Sequence, residues 1–201
     1  MVALLTSAYL GPVRYYEKLA GFDSVIIERN ENYVKQTYRN RCRISSANGV
    51  LDLSIPIKKD ADKCPTKDIR IAYTENWQQM HWRAIESAYS SSPFFEYYRD
   101  DFEPFYKRHS VFLLDFNEEL RQIVCSLIGL ESKVSMTDAY MSEIKTEMVD
   151  FRESFSPKKI VEEKMTPYYQ VFSQKFGFLP DLSIIDLLFN MGPESILVLK
   201  K

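Results

Sequence analysis

VALLTSAYLGPVRYYEKLAGFDSVIIE, residues 2 to 28, reads as a strand, a turn, a short helix and a second strand. VALLT (2–6) and SVIIE (24–28) are the strand candidates, with the turn around Gly11 and Pro12. Pro12 suits the first turn of a helix running through Leu19, because the N–H that proline lacks is an orphan donor there. A β-loop-α-β opening is typical of α/β chains. The apolar start is short, has no basic residues before it, and is soon followed by Arg14, Glu17 and Lys18. It therefore reads as a buried first strand and not as a signal peptide or membrane span.

Working outward, RCRISSA and VLDLSIPI flank Asn48-Gly49, a strong hairpin signal. IRIAY (69–73) and KVSMT (133–137) are further strand candidates. The middle is helical. Asn76 and Gln79 resemble a capping box ahead of Trp77, Met80, Ala84, Ile85 and Ala88 at helical spacing. Ser92-Pro93 reads as an N-cap and first-turn proline for FFEYYRDDF, which Pro104 must break or restart. Asn117–Leu127 is an amphipathic helix with Gly129 just past its end. Ser183 and Asp186 form a second capping-box pattern opening SIIDLLFN, and Gly192-Pro193 precedes a final short helix. Residues 142–166 are polar and receive no element. Without repeats, low-complexity runs or linkers, residues 1–201 are taken as one α/β domain: a mixed sheet from the N-terminal half, packed by helices from the middle and C-terminal parts.

The 201 residues are 45% hydrophobic and 27% charged, ordinary for a soluble globular protein. Twenty-six basic against 28 acidic residues, a net charge of −2, argue against a general nucleic-acid binder. Thirteen Tyr and 13 Phe suit a bulky core or a site that stacks on flat or sugar-like ligands. Cys42, Cys64 and Cys125 are odd in number and form no CxxC pair, which fits reduced cytoplasmic thiols better than disulfides or a metal site, so no metal is expected.

Against that neutral background, YVKQTYRNRCRI (33–44) concentrates Lys35, Arg39, Arg41 and Arg43. In a strand the three arginines share one face, where side-by-side guanidinium groups suit a multiply charged anion. The plainer alternative is a solvated sheet edge, or ion pairs with Glu28, Glu31 and Asp52. Asn40 and Cys42 face the other way. His81 lies four residues from both Trp77 and Ile85, so all three share a helix face. It is either a hydrogen-bonded core residue or a base at a pocket wall shielded by Trp77. Seven aromatics between Phe94 and Tyr106 make a core or groove wall, with Tyr98 among the hydroxyls at its margin. No GxGxxG, GxxxxGK[ST], HExxH or GxSxG occurs, and no cofactor is identified.

The ordered segments AYLGPVRYYEKL, IIERNENYVKQTYRNRCRISSANG, LSIPI, NWQQMHWRAIESAYSSSPFFEYY and PDLSIIDLLFNMGPE resemble the WbqC-like protein family. The resemblance runs from about residue 7 to 199, through Arg39-Asn40-Arg41, Trp77 with His81, Ser92–Phe95 and Leu182–Asn190. It implies association with surface polysaccharide or O-antigen biosynthesis. The resulting expectation is a cytoplasmic transferase modifying a nucleotide-linked sugar. Arg39, Asn40, Arg41, Arg43, Trp77 and Tyr98 would bind the anionic substrate, with His81 and Asp186 catalytic. The rival is a non-catalytic binding or accessory protein of the same pathway. A homo-oligomer or a partner enzyme is the protein association to test; nucleic acid and a membrane span are not expected.

Overall fold

Val2–Thr6 forms β1, buried along all but its first residue. Such an apolar run fits a strand covered on both faces. The computed structural model describes residues 1–58, 63–158 and 165–200. Pro12, at φ −65°, is the N-cap of α1 (Val13–Gly21), one position earlier than the first-turn placement. The chain returns as β2 (Ser24–Glu28), parallel to β1 from Val2 opposite Ser24 to Thr6 opposite Glu28. β3 (Arg41–Ser46) and β4 (Gly49–Ser54) pair antiparallel as a separate two-stranded ribbon. Among the residues of this turn only Gly49 has positive φ, at 103°. Ala47 and Asn48 therefore make the bend and glycine takes the position that a side chain would strain.

IRIAY forms no strand; Ile71 and Arg70 make isolated bridges to Ile57 and Phe112. In α2 (Trp77–Tyr89) the expected capping box is replaced by a side-chain pair, Asn76 Nδ2 donating to Gln79 Oε1 at 2.7 Å. Ser92 likewise closes the preceding helix, donating to the Tyr89 carbonyl at 2.7 Å, and α3 (Phe95–Phe102) is entered from Phe94. Pro104 then tightens the chain into a 3-10 turn, Glu103–Tyr106. α4 (Leu113–Ile128) ends at Gly129 in the left-handed region, as expected of a C-terminal glycine.

β5 (Val134–Met136) and β6 (Met148–Asp150) complete the main sheet, in the order β5-β2-β1-β6 and parallel throughout. β6 lies within the stretch that received no element; residues 159–164 of that stretch are outside the described residues. α5 (Ser173–Phe176), α6 (Ile184–Met191) and α7 (Ser195–Leu199) follow. The α/β class holds, with the parallel and antiparallel pairings in two separate sheets. α6 is buried nearly all round, and Leu187, Leu188 and Phe189 join residues from α1, α2 and α4 in the main hydrophobic cluster.

Candidate functional site

Strands that run parallel all end on one edge. From β1 the chain adds β2 and then β5 on one side, then crosses back to place β6 on the other. Where connections leave in opposite directions, the loops part and leave a crevice at the carboxyl ends of the strands. A cavity of about 730 Å³ occupies this edge. Its walls include Asn30 and Glu31 after β2, Arg39, Tyr140, and Asp150 and Arg152 at the end of β6.

The cavity is built from matched charges. Glu31 accepts from the Thr6 hydroxyl at the end of β1, and from Arg39 Nε at 2.9 Å and Nη2 at 2.7 Å. Arg39 Nη1 donates to Thr37 Oγ1 at 3.2 Å. Across the cavity Arg152 grips Asp150, Nη2 donating to Oδ2 at 2.7 Å and Nε to Oδ1 at 3.0 Å. Burial pushes the Asp150 carboxyl up, but the Arg152 bonds outweigh it and hold the carboxyl below its usual range. Arg152 Nη1 also donates to the Met141 carbonyl at 2.9 Å, and the guanidinium lies 5.3 Å from the Tyr140 ring centre. Glu28, fully buried, fastens the loops: it accepts from Thr137 Oγ1 at 2.7 Å and from the Asn30 and Met141 amides, each at 2.8 Å.

Of the site residues expected from the sequence, Arg39 alone lines this cavity. It precedes β3 and so does not share a strand face with Arg41 and Arg43. Those two do lie opposite buried Cys42 and Ile44, as a period of two requires. Arg43 faces carboxylates: Asp52, its cross-strand partner, at 3.2 Å and Asp181 at 4.0 Å. It also donates to the Pro157 carbonyl at 2.7 Å. Asn40 ties the base of the hairpin, donating to the Ile55 carbonyl at 2.8 Å.

Trp77 and His81 stand in the core. His81 is 4% exposed; its Nδ1 is 3.0 Å from the Tyr9 hydroxyl, which in turn meets Tyr106 at 2.8 Å. Trp77 packs edge-on against the imidazole, ring centres 5.1 Å apart. Burial pushes His81 down to about 4, against a smaller opposing pull from the Ser54 carbonyl, so the ring is neutral at pH 7. Tyr98 sits half-buried at the core margin on α3. Asp186 is completely buried. It accepts from Tyr89 and Tyr168, each at 2.8 Å, and from Gln170 Nε2 at 3.1 Å. Burial raises its carboxyl to about 6, against those donors. Ser183 does cap α6, accepting from the Ile185 amide, but the Asp186 carboxylate does not complete a capping box, because the Ser183 amide donates to the Arg43 carbonyl at 2.8 Å instead.

Sequence reasoning missed Asp150, Arg152 and Tyr140, and named Glu31 only as an ion-pair candidate. The usable pointer was the set of polar residues just past each parallel strand, which is invisible until β6 is recognised. Among the described residues no three His, Cys, Asp or Glu side chains gather as a metal site requires, and no helix is long and apolar enough to cross a membrane.

The sequence model described as "WbqC-like protein family" matches residues 7–154, a span that contains β2, β6 and the lining residues from Asn30 to Glu153. A relative in Mycobacterium tuberculosis, "Uncharacterized protein Rv1507c", is 28% identical over 96% of this chain and 95% of its own length. No solved structure gives a significant match.

Proposed function

The chain belongs to the WbqC-like protein family, and from that premise we propose that it is a cytoplasmic transferase that modifies a nucleotide-linked sugar during assembly of an O-antigen-type surface polysaccharide. The observation that carries this reading is the cavity at the strand-order reversal, where open α/β sheets hold their ligands. Its volume of about 730 Å³ is in the range of ligand-sized sites.

In this reading Arg152 and Arg39 supply positive charge for the diphosphate. Each uses one hydrogen on Nε, Nη1 and Nη2 for protein partners, out of the five a guanidinium carries, so donors remain for a ligand. Their carboxylate partners fix the forks before a ligand arrives. Tyr140, with Arg152 against its ring, offers a face for the base or the sugar. Arg43 has a positioning role, holding Pro157 next to Ser156 of the cavity wall. Asn40 and Arg41 belong to the hairpin, while Trp77, His81, Tyr98 and Asp186 hold the core and its margin.

A binding protein without turnover is the second reading; what favours it is that neither histidine lines the cavity. A thermal-shift screen against nucleotides, nucleotide-sugars, acyl-coenzyme A species and amino acids tests the proposal. A nucleotide-sugar at one hundred times its Kd is expected to add about 2.7 kcal/mol of stability. Mass spectrometry of the nucleotide-sugar after incubation with each co-substrate separates turnover from binding. Absence of a shift with every nucleotide and nucleotide-sugar overturns the proposal.

A further inference from the structure

Glu31 is 9% exposed, yet it lines the cavity. Its three side-chain bonds, from the Thr6 hydroxyl and from Nε and Nη2 of Arg39, all end on Oε1. Oε2 has no partner among the described residues. The residue is fixed from the backbone side as well: its carbonyl accepts from the Thr66 amide at 2.8 Å and from Thr66 Oγ1 at 3.2 Å. A carboxylate oxygen that takes none of the protein donors remains an acceptor for a donor that enters the cavity. Asn30, the neighbour of Glu31 on the wall, is already engaged with Thr137 and Lys67.

We propose that Glu31 Oε2 is the specificity-determining contact of the cavity, accepting a hydrogen bond from an ammonium or hydroxyl group of the sugar. The inference rests on the nucleotide-sugar reading above and adds which part of the ligand lies where. A phosphate oxygen against Oε2 meets like charge, so the diphosphate lies toward Arg152 and the sugar toward Glu31. Because Thr6 and Arg39 fix the carboxylate, it is oriented before the sugar arrives, and a ligand without a donor at this point forgoes that hydrogen bond.

The test is Glu31→Gln. Glutamine keeps an oxygen for Thr6 and Arg39 and turns an N–H donor into the cavity. Calorimetric titration of wild type and E31Q with UDP, UDP-glucose and UDP-glucosamine reads the effect. E31Q is expected to weaken the sugar-bearing ligands at least tenfold more than it weakens UDP, which reads any disturbance of Arg39 separately. Loss confined to UDP-glucosamine identifies the ammonium as the donor; equal loss for both sugars identifies a hydroxyl. If E31Q matches wild type on both sugars, the Glu31 inference falls while the nucleotide-sugar reading stands. If wild type binds none of the three, both fall. Thermal melts check that E31Q is folded; should it not fold, Glu31→Asp, which keeps the charge but withdraws the oxygen by one methylene, is expected to show the same selective loss, and wild-type sugar affinity in E31D overturns the inference.

Discussion

Two carboxylate networks in this protein are built from different partners. Around Asp186, two tyrosines and Gln170 converge on an acid with no exposure, walled in by α2 and the segment before α5. Around Glu31 and Asp150 the partners are arginines, and the groups face a cavity at the edge of the sheet. Neutral donors suffice for a carboxyl that burial has shifted toward protonation, whereas Asp150, beside an open cavity, is held below its usual range by the bonds from Arg152. The difference teaches that a buried, motif-like acid or histidine can serve packing while the cavity is lined by loops that carry no motif.

The largest expected effect comes from breaking the core network. Asp186→Ala leaves two tyrosine hydroxyls and an amide without their acceptor, at a cost of about 3–5 kcal/mol. The melting temperature should fall by roughly 10 °C or more. Affinity for UDP, measured per folded molecule, should stay at the wild-type value; a matching loss of affinity would erase the distinction between the two networks.

Acid titration sharpens the comparison within the core. His81 has a folded pKa of about 4 against an ordinary 6.5, so on acidification the unfolded chain protonates first. Its contribution to stability is complete above about 6.5 and is lost as pH falls toward 4, about 3 kcal/mol in all. Asp186 has a folded pKa of about 6 against 3.8, so the folded form protonates first. Its contribution is complete below about 3.8 and is lost as pH rises through 6, again about 3 kcal/mol. The two slopes oppose each other. In urea unfolding at pH 4.5 and 6.5, His81→Gln is expected to gain stability on acidification relative to wild type, and Asp186→Asn to lose it. Identical slopes in all three proteins would refute both assignments. His81→Gln should also leave UDP affinity unchanged.

Smaller effects belong to the cavity and to a site remote from both networks. Arg152→Ala should weaken UDP about tenfold, about 1.4 kcal/mol. Its melting temperature should fall as well, because Arg152 is only 11% exposed, holds the Met141 carbonyl and lies 3.7 Å from buried Glu28, so affinity is read per folded molecule. Gly49→Ala serves as the reference: a Cβ there meets nothing within 4 Å, so the expected cost of about 1 kcal/mol is backbone strain alone, with no change in binding.

Local pattern determined much of this protein. The strand pair around α1, the hairpin, the amphipathic α4 with its glycine stop and the capped α6 follow from short-range periodicity and turn chemistry, which act over a few residues. The pairing of Arg41 and Arg43 on one face follows from strand geometry in the same way. Tertiary structure alone decided which polar residues meet. Three-residue β6 carries too little pattern to stand out from its polar surroundings, and only alignment against β1 makes it a strand. That pairing reverses the strand order, opens the cavity and brings Asp150 and Arg152 to face Glu31 and Arg39, more than a hundred positions away in the chain. Burial likewise decided that His81 and Asp186 are packed inside: the sequence places them on helix faces, but only the fold sets what those faces touch.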